Sequence, residues 1–380
     1  MKSIMGKKQR DWTVELMRII ACLIVIGTHT LPSVKIDEGV YSASRVFLSC
    51  IFGDGVAIFW IITGFYLFHN YSYKNVLTRS LKKVLIPYLV YELFVFYFAD
   101  WIVDGVPIME SIKHSKEEYV EAFNKILTLK VITGHSVQFW YVIAYMMMIV
   151  VSPILYTFAK KAEDDSKWRS TYIAVFLLFL VWNDFSSNKA IGFSHNGTGA
   201  LVASSLIVIY GCFVYKWREK LGRIWRYLAP VMFVLLNLVR TKIQLYRYSI
   251  NPDNKSIIFW YSVFGIASAT LVAAFCFSFK ADKHGVIQRI ICVLGSYTFP
   301  VYVVHIFVRD FLNSRGFTAY LKEAIVGKGY GNIWTNTAYS LSIIGIIFCI
   351  SLLICFVIRL IKCGVLKAKA AIVNGHTIRE

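Results

Sequence analysis

The chain has 380 residues, of which 57% are apolar and 17% charged, and its mean hydropathy is +0.58. That balance excludes an ordinary soluble domain and predicts a polytopic membrane protein. The formal net charge of +19 does not point to nucleic acid, because the basic residues fall in short clusters between apolar runs of about 20 residues, the length that crosses a bilayer.

The first apolar run covers 14–31 and contains ELMRIIACLIVIGTHT, residues 15–30, with Glu15 and Arg18 at one end and His29 at the other. Its internal charges, with no small-residue cleavage site after it, predict a retained helix and not a removed signal peptide. Further apolar runs follow at 46–68, 84–103, 139–158, 170–187, 197–215, 227–239, 257–279, 290–308 and 336–360. With both termini in the cytoplasm, most basic residues fall inside, in clusters such as Lys82 with Lys83, Lys160 with Lys161 and Arg218 with Lys220, as the positive-inside rule asks. The expected fold is an all-α bundle of about ten transmembrane helices.

The longest outside loop runs from Asp104 to about His135. Its EEYVEAFNKILTL portion places Tyr119, Phe123, Ile126 and Leu127 on one side of a helix, so an amphipathic surface helix is expected. No repeat or flexible linker divides the chain, which predicts one membrane domain over 1–362 and a mobile, basic cytoplasmic tail over 363–380. The eight cysteines lie in or beside apolar runs without CxxC or Cys/His spacing, a pattern of small packing residues, so neither a disulfide framework nor a metal centre is expected. The glycosylation-type tripeptides at Asn196 and Asn254 recur often by chance and carry no conclusion.

In the first helix Arg18 and His29 are separated by three turns plus about 20°, so they share a face and lie roughly 16 Å apart along the axis. Glu15 and Cys22 fall on the same stripe. A central Arg facing lipid costs about 2.5 to 3.5 kcal/mol, so this stripe is expected to face the bundle interior along a shared hydrated passage. The plainer alternative pairs Arg18 with Glu15 near the membrane boundary and leaves His29 at the opposite interface.

This Arg, ten-residue spacer and His resembles the first helix of the membrane-bound acyltransferase 3 family, which acylates sugars and lipids at bacterial surfaces. Four more stretches are similar to family motifs, in the family's order: FGDGVAIFWIITGFYLF, residues 52–68; RSLKKVLIPYLVY, 79–91; HSVQFWYVIAYMMMIVVSPIL, 135–155; and GSYTFPVYVVHIFV, 295–308. The chain departs from the pattern where Arg79, Lys82 and Lys83 stand in place of paired arginines, since Lys is a point charge and not a planar fork. A stand-alone form without a soluble esterase-like domain is expected.

The resemblance implies transfer of an acyl group, an acetyl above all, from cytoplasmic acyl-coenzyme A to a hydroxyl of a surface polysaccharide or lipid-linked glycan. It also implies a bacterial plasma membrane, no permanently bound cofactor and no nucleic acid; dimer formation is left open. His29 suits the base that takes the hydroxyl proton, or it is an interfacial capping residue. Arg18 cannot act as a base, because a guanidinium keeps its proton, but it suits the donor's phosphate or thioester oxygens. Arg79, Lys82 and Lys83 lie on the same side and suit the nucleotide phosphates, although insertion alone also explains them.

Asp54, between Gly53 and Gly55, either orients the His29 imidazole or pairs with a cation; the alternative is a helix cap. His305, with Tyr302 at i−3, either binds the acceptor or only makes a structural hydrogen bond. Trp140 and Tyr141 either stack on a sugar or anchor the helix at the interface. Glu92 and Asp100 are read as buried acids of unknown partner. A transporter of a glycan or a small polar metabolite such as an amino acid is the competing function, with the buried polar groups lining a permeation path. A non-catalytic sensor or assembly partner is a third.

Overall fold

The computed structural model describes residues 10–37, 40–69, 71–127, 134–185, 198–250, 262–279 and 285–376. Asn196 and Asn254, and the side chains of Ile126 and Leu127, lie outside the described residues.

Helix α1 (Trp12–Thr30) starts where Asp11 accepts a hydrogen bond from the Thr13 backbone N–H at 3.0 Å, satisfying one of the free donors of the first turn. It ends at Leu31, just before Pro32. A two-stranded hairpin, β1 (Lys35–Asp37) and β2 (Val40–Tyr41), leads into α2 (Ala43–Ile51) and α3 (Gly55–Leu67). Then α4 (Tyr73–Ser80) passes through a wide helical turn at Leu81–Leu85 into α5 (Ile86–Ala99). The short α6 (Ile108–Ser111) and α7 (Lys116–Leu127) follow, and α7 is the helix the sequence pattern called for, with Tyr119 and Phe123 exposed.

The second half runs through α8 (Trp140–Asp164), α9 (Ser166–Phe185), α10 (Thr198–Trp217), α11 (Trp225–Ile250), α12 (Val263–Phe277), α13 (Val286–Gly295), α14 (Thr298–Ser314), α15 (Phe317–Val326) and α16 (Ile333–His376). All ten expected spans overlap helices. Among the described residues seven helical stretches are long and apolar enough to cross a membrane, or eight with α13 and α14 taken as one broken span. The protein is a multi-pass all-α membrane bundle, and apolar side chains such as Val90, Leu93, Leu353 and Ile358 stay exposed on its outside.

One expectation about a span is corrected. The run 290–308 is not one helix: α13 and α14 meet at 59°. Pro300 has no N–H to bond the carbonyl four residues back, but it sits comfortably in the first turn of a new helix, so the break falls just before it. The last apolar run, 336–360, lies within a helix that continues to His376.

Helix α1 lies at the centre, packed against α3, α12, α13, α14 and α16. Lipid tails are as apolar as leucine, so helices associate through close packing at small residues. A Cβ on Gly55 would stand 2.7 Å from Val25 Cγ2 and 2.8 Å from the Ala21 carbonyl oxygen, which is how α3 comes so near α1. Gly64 and Gly211 play the same part between α3 and α10, each facing the other helix's backbone.

Candidate active site

His29 occupies the last turn of α1, and its ring centroid lies 5.4 Å from that of His305 on α14. His305 is fully buried. Its Nδ1 is 2.7 Å from the Tyr302 carbonyl oxygen, and a carbonyl only accepts, so Nδ1 carries the proton. Nε2 therefore holds the lone pair, and it has no hydrogen-bond partner among the described residues. A buried acceptor left open in this way is costly and marks a place where a ligand or water group fits.

On one side His29 borders a small internal void of about 10 Å³ with Val25, Thr28, Gly53, Gly55, Gln138, Trp140 and Tyr302 along its wall. On the other it borders a cavity of about 550 Å³ between the α1 end, the hairpin, α14, α15 and the start of α16. That volume falls in the range of small-molecule sites. Two other cavities lie away from His29: one of about 1010 Å³ among α9, α10, α11 and α12, mostly apolar, and one of about 420 Å³ beside Lys160, Lys216 and Arg218.

A charged relay that sequence reading missed supports the His29 end. Arg309 donates from Nε to Asp310 Oδ1 at 2.7 Å and, through NH1, to the His29 carbonyl oxygen at 3.4 Å. Asp310 Oδ2 meets His135 Nδ1 at 2.7 Å. The only signal in the sequence was Arg309 standing four residues after His305, one turn further along the same face. Next to His135, Ser136 donates to the fully buried Glu92 at 3.1 Å, whereas Asp100, expected to be buried, is exposed.

Tyr302 directs its hydroxyl to the Gln138 backbone oxygen. Trp140 and Tyr141 are both half-buried and pack against the core, Tyr141 4.4 Å from Trp60 and 5.6 Å from Tyr302 by ring centroids. The rings continue through Tyr145, 6.5 Å from Tyr141, whose hydroxyl is 3.1 Å from Ser80 Oγ. An aromatic column thus runs from α4, beside the exposed Arg79, Lys82 and Lys83, to Tyr302, His305 and His29.

Arg18 and Asp54 each have an ionic partner of their own. Arg18 donates to Glu15 at 2.9 Å and lies 5.3 Å over the Tyr66 ring, at the far end of α1 from His29. The expected hydrated passage between them is replaced by packing: Cys22 is fully buried with Sγ 3.7 Å from the Thr298 oxygen, and Ile26 is fully buried as well. Helical spacing puts residues on one face and says nothing about whether neighbouring helices fill the space beside it.

Asp54 does not present its carboxylate to the imidazole. Arg240 of α11 takes both oxygens, at 2.5 and 3.2 Å, and also donates to the Cys50 carbonyl at 2.9 Å. The cation-pairing alternative is the one observed, and the partner lies 186 residues away in sequence. Among the described residues no group of three or more His, Cys, Asp or Glu is arranged to hold a metal ion, and the eight cysteines are free thiols.

The arrangement puts an imidazole at the floor of an open cavity, with a guanidinium beside it and a buried aromatic column behind it. Such a floor can accept a proton from a hydroxyl and offer positive charge to a developing oxyanion. A family model described as an acyltransferase domain matches residues 11–359. No curated protein and no solved structure gives a significant match to the chain.

Proposed function

The chain belongs to the acyltransferase 3 family, and from that premise we propose that it is an integral membrane O-acyltransferase of a bacterial plasma membrane, with acetyl as the transferred group. The Arg18 end faces the cytoplasm, as do both termini. The donor is acyl-coenzyme A, whose phosphates meet Arg79, Lys82 and Lys83, with Arg18 nearby, and whose acyl arm extends along the aromatic column. The acceptor is a hydroxyl of a surface polysaccharide or lipid-linked glycan lying in the 550 Å³ cavity.

His29 takes the proton from that hydroxyl, its oxygen bonds to the acyl carbon, the carbon–sulfur bond breaks, and the proton leaves with the coenzyme A thiolate. Arg309 stabilises the oxyanion that forms between these steps. Tyr302, Trp140 and Tyr141 shape the passage, and His305 holds the acceptor or a water through its open Nε2. The observation that carries this reading is the position of His29, bordering both the cavity and the void that backs onto Tyr302 and Trp140. A transporter needs a continuous polar path, and the packing around Cys22 does not favour one.

The test compares glycan ester content in cells making wild-type protein or His29→Ala at equal membrane level. The expected loss is about 10²- to 10⁴-fold, the contribution of a general base. Unchanged ester content sinks the assignment of His29.

A further inference from the structure

The cavity beside His29 is bordered by five cationic side chains, Lys35, Arg45, Arg309, Lys322 and Lys328, and among the described residues no carboxylate lines it. They come from four separate parts of the fold: β1, α2, α14, and α15 with the turn after it. Arg309 is matched by Asp310. Arg45, 5% exposed, donates to the carbonyl oxygens of Ser33 and Tyr330, which hold its position without cancelling its charge. Lys35, Lys322 and Lys328 take part in no ion pair among the described residues.

Clusters of Lys and Arg at cytoplasmic helix ends follow from insertion alone, but this cavity lies at the opposite end, where that rule asks for fewer cations. Gathering like charges around one concave space destabilises the empty protein and concentrates anions there. We infer that the acceptor is itself anionic, a glycopolymer carrying phosphodiester or uronate groups, held by Lys322, Lys328 and Lys35 while a neighbouring hydroxyl reaches His29. Lysines act as point charges with freely turning donors, which suits the repeated and variably spaced charges of such a polymer. The word acceptor rests on the acyltransferase reading; the preference for anions does not.

Purified full-length protein in nanodiscs is titrated with three fluorescent probes of equal length: a glycerol-phosphate hexamer, a galacturonate hexamer and neutral maltohexaose. At least one anionic probe is expected to bind about ten-fold tighter than maltohexaose, with affinity falling as salt is raised. K322Q/K328Q is expected to lose about ten-fold in that affinity and K322R/K328R to keep it. Whichever anionic probe binds better names the anion. Equal binding of maltohexaose, or anion binding that K322Q/K328Q leaves unchanged, overturns the inference. If the anion binds as described but no glycan ester forms in cells, the acyltransferase reading fails and the anion site stands.

Discussion

Two buried polar assemblies lie within one helical layer of each other, and they are built on opposite terms. At the α2–α3 break, Asp54 and Arg240 satisfy each other and the Cys50 carbonyl, with Arg240 wholly buried. At the α1 end, His29 and His305 face each other at 5.4 Å with the His305 Nε2 left open, beside a cavity. In the ion pair the two charges answer each other, and its role is to hold α3 to α11. A half-satisfied pair of imidazoles is expensive as architecture, which makes it the candidate site for chemistry.

The contrast is broken most severely at the ion pair. Arg240→Leu strands a buried carboxylate and is expected to destabilise the bundle by about 3–5 kcal/mol, while the double change Asp54→Leu with Arg240→Leu recovers most of that loss. Thermal unfolding in detergent measures both, and equal damage from the single and the double change would show that the pair does more than satisfy itself.

At the imidazole pair, His305→Asn retains a donor near the Nδ1 position and removes the open acceptor. Acyl transfer is expected to fall by ten-fold or more, with stability within about 1 kcal/mol of wild type. A large fall in the unfolding temperature with normal turnover per folded molecule would return His305 to a purely structural role.

Between the two assemblies lies the close approach of α3 to α1. Gly55→Ala puts a methyl group against Val25 and the Ala21 carbonyl, and a loss of about 1–3 kcal/mol is expected. Because Gly55 also walls the void beside His29, activity is expected to fall with it. A variant with undisturbed stability would mean the two helices can part there at no cost.

The smallest effect is expected from Tyr302→Phe, which removes the hydroxyl donated to the Gln138 carbonyl. About 1 kcal/mol of stability goes with that bond, and turnover stays within a few-fold of wild type. A collapse of activity at full stability would instead give the phenol a proton to move.

Several features were open to reading from residues alone because they depend on local periodicity. Apolar runs marked the helices, Tyr119 and Phe123 marked α7, and the interval between Arg18 and His29 placed both on one stripe of α1. The Glu15–Arg18 pair was also readable, being three residues apart on one helix. The bend before Pro300 could have been anticipated from the proline, but an unbroken apolar run concealed it. Arg240, Arg309, Asp310 and His135 gave little sign of their roles, since each acts on a residue of another helix or through one.

By itself, then, the amino-acid order determined that this protein is a membrane-embedded helical bundle of the acyltransferase 3 family and which way each residue points around its own helix. Those properties follow from hydrophobicity and the 3.6-residue turn, which act over neighbours in the chain. Only the packed bundle decided that Asp54 answers to Arg240 and that Cys22 closes the space between Arg18 and His29. It decided equally that, among the described residues, five cations border the cavity at the His29 end. Those outcomes are set by which helices meet and how closely, and contacts across such sequence distances carry no local signature.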